Sequence, residues 1–220
     1  MYDTLLQLPI FQGLSMTDFH ALLMKIKLNF QKISAGRSFI HAGNKCSDFV
    51  FLINGSIISS RRSNGVDFVY KEVISAPYLI EPYSMFGASA TYKHDYTALS
   101  DVGLLLIDKQ YIYTELQKYS ICKMNILNML SGRVQALDRF IWSRNELSLR
   151  ERIVRFIKGI SETYSGEKYL QIRMNTLASL MDATRLKVSI ELNAMAEQGL
   201  IVLRRKEIYI PSMERLIEHT

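Results

Sequence analysis

Apolar residues change their period along this 220-residue chain, and each change marks a different kind of element. Over residues 1–30, Phe19, Leu22, Leu23 and Ile26 recur at helical spacing after Pro9, Gly13 and Ser15. Ser15 followed by Asp18 predicts an N-cap with an acidic first turn. From about Phe30 to Asp108 the texture becomes short β-rich runs: Phe39-Ile40, Phe49 to Ile53, Ser56-Ile57-Ile58, Phe68-Val69-Tyr70 and Leu104 to Ile107. Ala35-Gly36, Ala42-Gly43-Asn44, Asn54-Gly55 and Asn64-Gly65 separate them. Asn-Gly between two strand-like runs predicts a hairpin, because type I′ turns need positive φ at both central residues. Many short strands punctuated in this way predict a compact antiparallel sandwich or roll.

From about Lys109 to Arg144 the pattern is helical again, with Gly132 as the lone glycine and no proline. Leu127, Leu130, Val134, Leu137 and Ile141 follow the 3-4-3-4 spacing of a coiled-coil seam. The same register puts Ser120 and Lys123 on the seam upstream, so the zipper is imperfect. A helix of ~35 residues would run ~50 Å, and Met129, Phe140 and Trp142 lie beside the stripe. That is more apolar surface than a small roll covers, which favours a homodimer interface. An amphipathic helix packed on its own domain is the alternative.

The last third begins with a capping box, Ser148-Leu149-Arg150-Glu151, opening a helix with Ile153, Phe156, Ile157 and Ile160 on one face. Tyr164-Ser165-Gly166 breaks it. Two short helices joined by a tight turn follow. The first, about Thr176 to Met181, turns Leu177, Ala178 and Leu180 inward, and Ala178 is small enough for a close helix crossing. The turn is Asp182-Ala183-Thr184, with Thr184 as N-cap of a second helix spanning 184–197. Val188, Leu192 and Met195 mark its buried face, and Arg185, Lys187, Ser189 and Glu191 the other. Gly199 ends it as a C′ glycine. This is the pattern of a helix-turn-helix, whose second helix aims its N-terminal residues at base edges in the major groove. Arg185 suits bidentate pairing with guanine, Lys187 suits a phosphate, and Asn175 and Thr184 are placed to reach the DNA backbone. Leu200 to Leu203 and Ile208 to Ile210 then flank a basic tip, Arg204-Arg205-Lys206, as strands flank a wing.

Charge adds little. The net value is +6, which permits a polyanionic partner. Residues 145–220 hold twelve basic and ten acidic side chains, so the excess is not concentrated in the helix-turn-helix region. No apolar run approaches the ~18–20 residues of a membrane span. The opening MYDTLLQLPIFQGLS has no basic n-region, and a cytoplasmic protein is expected. Cys46 and Cys122 form no CxxC pair and read as free thiols. His20, His41, His94 and His219 are scattered, so no metal site is expected. No nucleophile–base set, paired carboxylates or phosphate loop suggests an enzyme.

Taken in order, PIFQGLS, AGRSFIHAGNKCSDFVFLINGSI, ALSDVGLLLIDK, LSLRERIVRFI and LASLMDATRLKVSIELNAMAEQGLI resemble the Crp/Fnr family of bacterial regulators along nearly the whole chain. The resemblance implies an α+β fold: an N-terminal double-stranded β-helix, or jelly roll, of the cyclic-nucleotide-binding-like kind over 1–110, a dimerisation helix over 111–145, and a winged helix-turn-helix over 146–220. It implies a homodimer that regulates transcription from a palindromic site, with RNA polymerase as a protein partner and no membrane association. The base-reading set is then Arg185, Leu186, Ser189 and Ile190. The phosphate set is Asn175, Thr184, Lys187, Arg204, Arg205 and Lys206. Arg185 matches a base-reading arginine of the family. Leu186 stands where many members carry Glu, Ile190 where the cyclic-AMP-responsive members carry Arg, and Asp182 replaces a common turn glycine. The family's cyclic-AMP binders use Gly-Glu and Arg-Ser to hold the phosphate. The stretch EPYSMFGASATYKHDYTALSD has neither pair, and no arginine occurs between Arg62 and Arg133. The expected effector is therefore not cyclic AMP, and its identity is open, as are target genes and sign of regulation. Tyr83, Met85, Phe86, Tyr92, Lys93 and Tyr96 form a candidate effector pocket or simply fill the core. No cofactor is expected. The alternative function is a small-molecule sensor acting through protein partners without sequence-specific DNA binding.

Overall fold

The computed structural model describes residues 5–63, 65–142 and 147–220, with the side chains of residues 139–142 outside that description. Ser15 caps α1 (Met16–Leu23) as expected, its Oγ accepting the Asp18 N–H at 3.1 Å, and Phe19 and Leu22 bury the inner face. Eight strands follow: β1 (Asn29–Ile33), β2 (Ser38–Ile40), β3 (Asp48–Asn54), β4 (Ser56–Arg62), β5 (Phe68–Ser75), β6 (Tyr78–Ile80), β7 (Asp95–Ala98) and β8 (Val102–Asp108). The chain divides into two units. The first is Met1–Ile58 with Ile74–Val134, and the second is Ser59–Val73 with Gln135–Thr220.

In the first unit one antiparallel sheet has the order β1-β8-β3-β6, and β4, β7 and β2 lie side by side in another. Fully buried Phe49, Phe51, Leu52, Leu105 and Ile107 carry the core between them, and Phe11 stacks on Phe51 with ring centroids 6.0 Å apart. This is the antiparallel sandwich that the many short, turn-punctuated strands predict. One turn differs from expectation. Asn54-Gly55 does not close a hairpin, because β3 and β4 belong to different sheets. Asn54 Oδ1 takes the Gly103 N–H at 2.5 Å, and Gly55, at φ 81, turns the chain where a Cβ would sit 2.5 Å from the Asp101 carbonyl. The dipeptide makes a corner between sheets. The second Asn-Gly lies between β4 and β5, which are neighbours in a sheet, although Asn64 is outside the described residues.

The expected single helix over 111–145 is broken. α2 (Gln110–Thr114) leads into a 3-10 turn, Leu116–Lys118, and Tyr119 is extended at φ −99 and ψ 112 before α3 (Ser120–Trp142) begins. Ile112 and Leu116 are buried in the first unit, which holds this segment against the roll. At 23 residues, α3 is two-thirds of the expected length. It has two apolar faces. Cys122 is buried, with Ile126 and Met129 packed on the same core, while Leu127 and Val134 are 55% and 64% exposed. Leu137 is exposed and Leu130 half-buried; Ile141, Phe140 and Trp142 fall outside the described side chains. Ser120 and Lys123, which spoil the upstream seam, stand at the beginning of α3.

In the second unit, α4 (Leu149–Ile160) opens with the complete Ser148/Glu151 capping box and buries Ile153, Val154, Phe156 and Ile157. β9 (Lys168–Ile172), α5 (Met174–Leu180), α6 (Arg185–Glu197), β10 (Val202–Arg204), β11 (Glu207–Ile210) and α7 (Met213–Glu218) complete it. The strands run in the order β10-β11-β9-β5-β4. Residues 59–73, which precede the expected division at residue 110, pack in the second unit. The reason is edge pairing. β5 runs antiparallel to β9, from Phe68 opposite Ile172 to Glu72 opposite Lys168, and covers an edge whose N–H and C=O groups would otherwise lack partners. Phe68 meets Phe156 edge-on beneath the sheet at 5.6 Å.

Candidate nucleic-acid interface

Two helix ends in the second unit close in the same way, with a different residue at the critical position. After α5, the N–H groups of Ala183 and Asp182 bond to the carbonyls of Ala178 at 3.0 Å and Ser179 at 3.2 Å. After α6, those of Leu200 and Gly199 bond to Met195 at 3.0 Å and Ala196 at 2.9 Å. Both are Schellman closures, which place one residue in the left-handed region. Gly199 does so at φ 69, and Asp182, without glycine's freedom, at φ 45. The turn then hands over to Thr184, whose Oγ1 accepts the Lys187 N–H at 3.3 Å and opens α6.

The packing below the turn follows the sequence pattern. Leu177 and Ala178 of α5 and Val188, Leu192 and Met195 of α6 are buried together. Two arginines from α4, neither singled out by sequence, brace the pair. Arg152 Nη1 donates to the Met181 carbonyl at 2.5 Å, inside the turn. Arg150 Nε donates to Glu191 Oε1 at 2.6 Å and Nη1 to Gln198 Oε1 at 2.8 Å. Glu191 is thus turned towards α4 and does not join the outward face on which its spacing seemed to place it. A capping box followed by arginine is the sequence signal for these braces, but their partners lie 29 and 41 residues away.

The outward face of α6 carries exposed Arg185, Leu186, Lys187 and Ile190, with Ser189 half-buried beside them. β10 and β11 form a two-stranded wing whose turn is Arg205-Lys206, with Lys206 at φ 62. Arg205 and Lys206 are exposed. Arg204 is held along the wing: its guanidinium lies 4.6 Å from the centre of the Tyr209 ring, and Nη1 donates to Glu207 Oε1 at 3.2 Å. A cleft of about 350 Å³ between α5, α6 and the wing is lined by Arg173, Asn175, Arg185, Arg204 and Lys206. A smaller hollow at the start of α6 is lined by Arg152, Asp182, Thr184 and Lys187. Of the residues expected on DNA, Asn175, Arg185, Arg204 and Lys206 share one cleft, which Arg173 joins, and Thr184 and Lys187 share the other hollow.

Residues 151–219 match the family model described as a Crp-like helix-turn-helix domain. A catabolite activator protein from Thermus thermophilus is similar over 96% of this chain and 97% of its own, at 18% identity and a TM-score of 0.52. The sensor domain of the transcriptional regulator DNR from Pseudomonas aeruginosa is similar over 66% of this chain and 95% of its own, at 19% identity and a TM-score of 0.52. At such identities the likeness establishes the fold. No curated protein sequence matches.

In the first unit, the stretch holding the candidate effector-pocket residues is organised around Glu81. Glu81 is fully buried and sits at φ 39. Its Oε1 accepts from His94 Nδ1 at 2.7 Å, the His94 N–H at 2.9 Å and the Tyr96 hydroxyl at 3.2 Å. Its Oε2 accepts from Ser84 Oγ at 2.6 Å and the Lys93 N–H at 2.8 Å. Burial alone would push this carboxyl up. The donations from His94, Ser84 and the Lys93 amide outweigh burial and hold it below the ordinary glutamate value. Among the candidate pocket residues, Met85, Tyr92 and Tyr96 are buried in the core, and Tyr83 and Phe86 are half-buried. Phe86 meets Tyr113 edge-on, and Lys93 Nζ donates to Ser89 and Thr91. The two thiols are buried; burial pushes Cys46 up, and Cys122 up to about 11, so neither offers an accessible thiolate. Among the described residues no helix is long and apolar enough to cross a membrane.

Proposed function

We propose that this protein is a homodimeric, sequence-specific DNA-binding regulator of transcription, acting in the cytoplasm and responding to a signal other than cyclic AMP. Helix 184–197 would lie in the major groove, with Arg185, Leu186, Ser189 and Ile190 towards base edges. Asn175, Thr184, Lys187, Arg204, Arg205 and Lys206 would meet the backbone, and RNA polymerase is the protein partner we assign to it. The observation that carries this reading is that Arg185, on a helix that also exposes Leu186, Lys187 and Ile190, shares a cleft with Arg204 and Lys206 of the basic wing. The names of the two similar structures, an activator and a transcriptional regulator, agree with it.

The dimer reading rests on α3, whose Leu127, Val134 and Leu137 are exposed in the single chain while Cys122 on another face is buried. A twofold dimer would place two recognition helices on half-sites one helical turn apart, ~34 Å. The case against cyclic AMP rests on the arginine-free stretch and on Glu81, a buried anion within it. Selection of genomic fragments by the full chain tests the whole proposal. A palindromic consensus is the expected result, together with a dimer in sedimentation that Leu127→Asp disrupts. Absence of any preferred fragment would leave a sensor working through protein partners. Stoichiometric cyclic AMP binding in calorimetry would overturn the effector assignment.

A further inference from the structure

Two large aliphatic side chains stand in the open on α6. Leu186 is 69% exposed and Ile190 61%, while Val188, Leu192 and Met195 are fully buried on the opposite side. Residues four apart lie one above the other on a helix, separated by ~6 Å of rise. The pair thus forms a small apolar stripe along the outward face. Its neighbours are cationic: Arg185 and Lys187 flank Leu186 in the chain, both exposed, and Arg185 also lines a cleft with Lys206, Arg204, which bonds Glu207 there, and Arg173, which pairs with Asp67. An apolar stripe bordered by cations suits a polyanion that presents apolar groups of its own.

Duplex DNA does so in one place. The major groove displays hydrogen-bonding atoms of guanine, adenine and cytosine, and the 5-methyl group of thymine. A leucine or isoleucine pressed against the first three would strip water from donors and acceptors without replacing the lost bonds. Against a thymine methyl it loses nothing. Building on the DNA-binding reading proposed above, we propose that Leu186 and Ile190 read thymine methyl groups, and that each half-site carries thymines at two positions. A rise of ~6 Å between the side chains, set against ~3.4 Å per base, places those thymines within about two base pairs of each other, beside the base that Arg185 contacts.

The experiment uses the full-length protein and the site obtained by genomic selection. Each thymine is replaced in turn by deoxyuridine, which deletes the methyl and keeps every hydrogen-bonding atom, and the dissociation constant is measured. The expected result is a loss of about fourfold at each of two positions per half-site, the size of one methyl-sized contact, with no change elsewhere. Leu186→Ala should abolish the deoxyuridine effect at one position and Ile190→Ala at the other. Both side chains are exposed, so neither variant disturbs the core. Equal affinity for thymine and deoxyuridine at every position, with site selection intact, would overturn the methyl reading and leave the DNA-binding reading standing. Failure to select any site would overturn both. Altered self-association in Leu186→Ser, with unchanged DNA affinity, would assign the stripe to a protein contact and also overturn the proposal.

Discussion

The Lys168 ammonium lies 2.8 Å from Glu72 Oε2, and neither side chain reaches solvent. Lys168 Nζ also donates to Thr163 Oγ1 and the Ser165 carbonyl, both at 2.8 Å, while Glu72 accepts the N–H groups of Glu162 and Thr163. A buried pair this fully bonded is costly to break from one side, because the remaining charge is left without its counter-ion. Lys168→Met is expected to destabilise the protein by about 3–5 kcal/mol in urea unfolding. Glu72→Leu added to Lys168→Met should recover part of the loss. Recovery stays incomplete because the amides of Glu162 and Thr163 would then lack their acceptor.

Asp182 occupies a backbone position that glycine occupies at the end of the next helix. Asp182→Gly is expected to raise stability by ~0.5–1 kcal/mol, since left-handed backbone is unfavourable for residues with a Cβ. Gly199→Ala should lower it by ~1 kcal/mol for the same reason. Thermal unfolding of the two variants checks the pair. If Asp182→Gly is destabilising, the aspartate side chain has a role in the turn that its backbone angle does not account for.

Glu81 links the stability of the roll to acid. Its carboxyl is held below the ordinary value in the folded protein and returns to about 4.3 when unfolded. Its contribution is therefore complete above pH ~4.3 and is lost as pH falls through the lower, folded value. Glu81→Gln should be less stable than wild type at neutral pH and show a shallower loss below pH ~4.3. Denaturant unfolding followed between pH 3 and 7 distinguishes this from a uniform destabilisation, in which the two curves would stay parallel.

The cations of the interface should separate by function. Arg185→Ala is expected to cost ~1–3 kcal/mol at the selected site and relax discrimination at one base pair. Arg205→Gln and Lys206→Gln should weaken binding to all sequences and reduce the slope against salt by about one each. Arg204 already bonds Glu207 and lies over Tyr209, so Arg204→Gln should change that slope less than either. Titrations at several salt concentrations measure all four variants together.

Much of the helix-turn-helix was legible in the chain because its determinants are local. The Thr184 cap, the Asp182 turn and the Gly199 closure are each made by hydrogen bonds spanning three to five residues. The buried faces of α5 and α6 follow from helical spacing alone. The exposed side of α6 was harder. Glu191 has the spacing of an outward residue, and only the approach of Arg150 from α4 turns it aside. In the roll, Asn54-Gly55 marked a turn correctly, but whether a turn joins two strands of one sheet or two sheets depends on partners far away in sequence.

By itself the sequence determined the order of parts, the α+β class, the caps, the two-helix motif with its basic wing, and the buried face of α6. These depend on period and on contacts within one or two turns of chain. The tertiary structure decided where the long helix breaks, that residues 59–73 pack with the C-terminal unit, and that Lys168 finds Glu72 96 residues away and Glu81 finds His94 across a loop. Such pairings are chosen by burial, where a charge must have its partner, and burial exists only once the chain has folded.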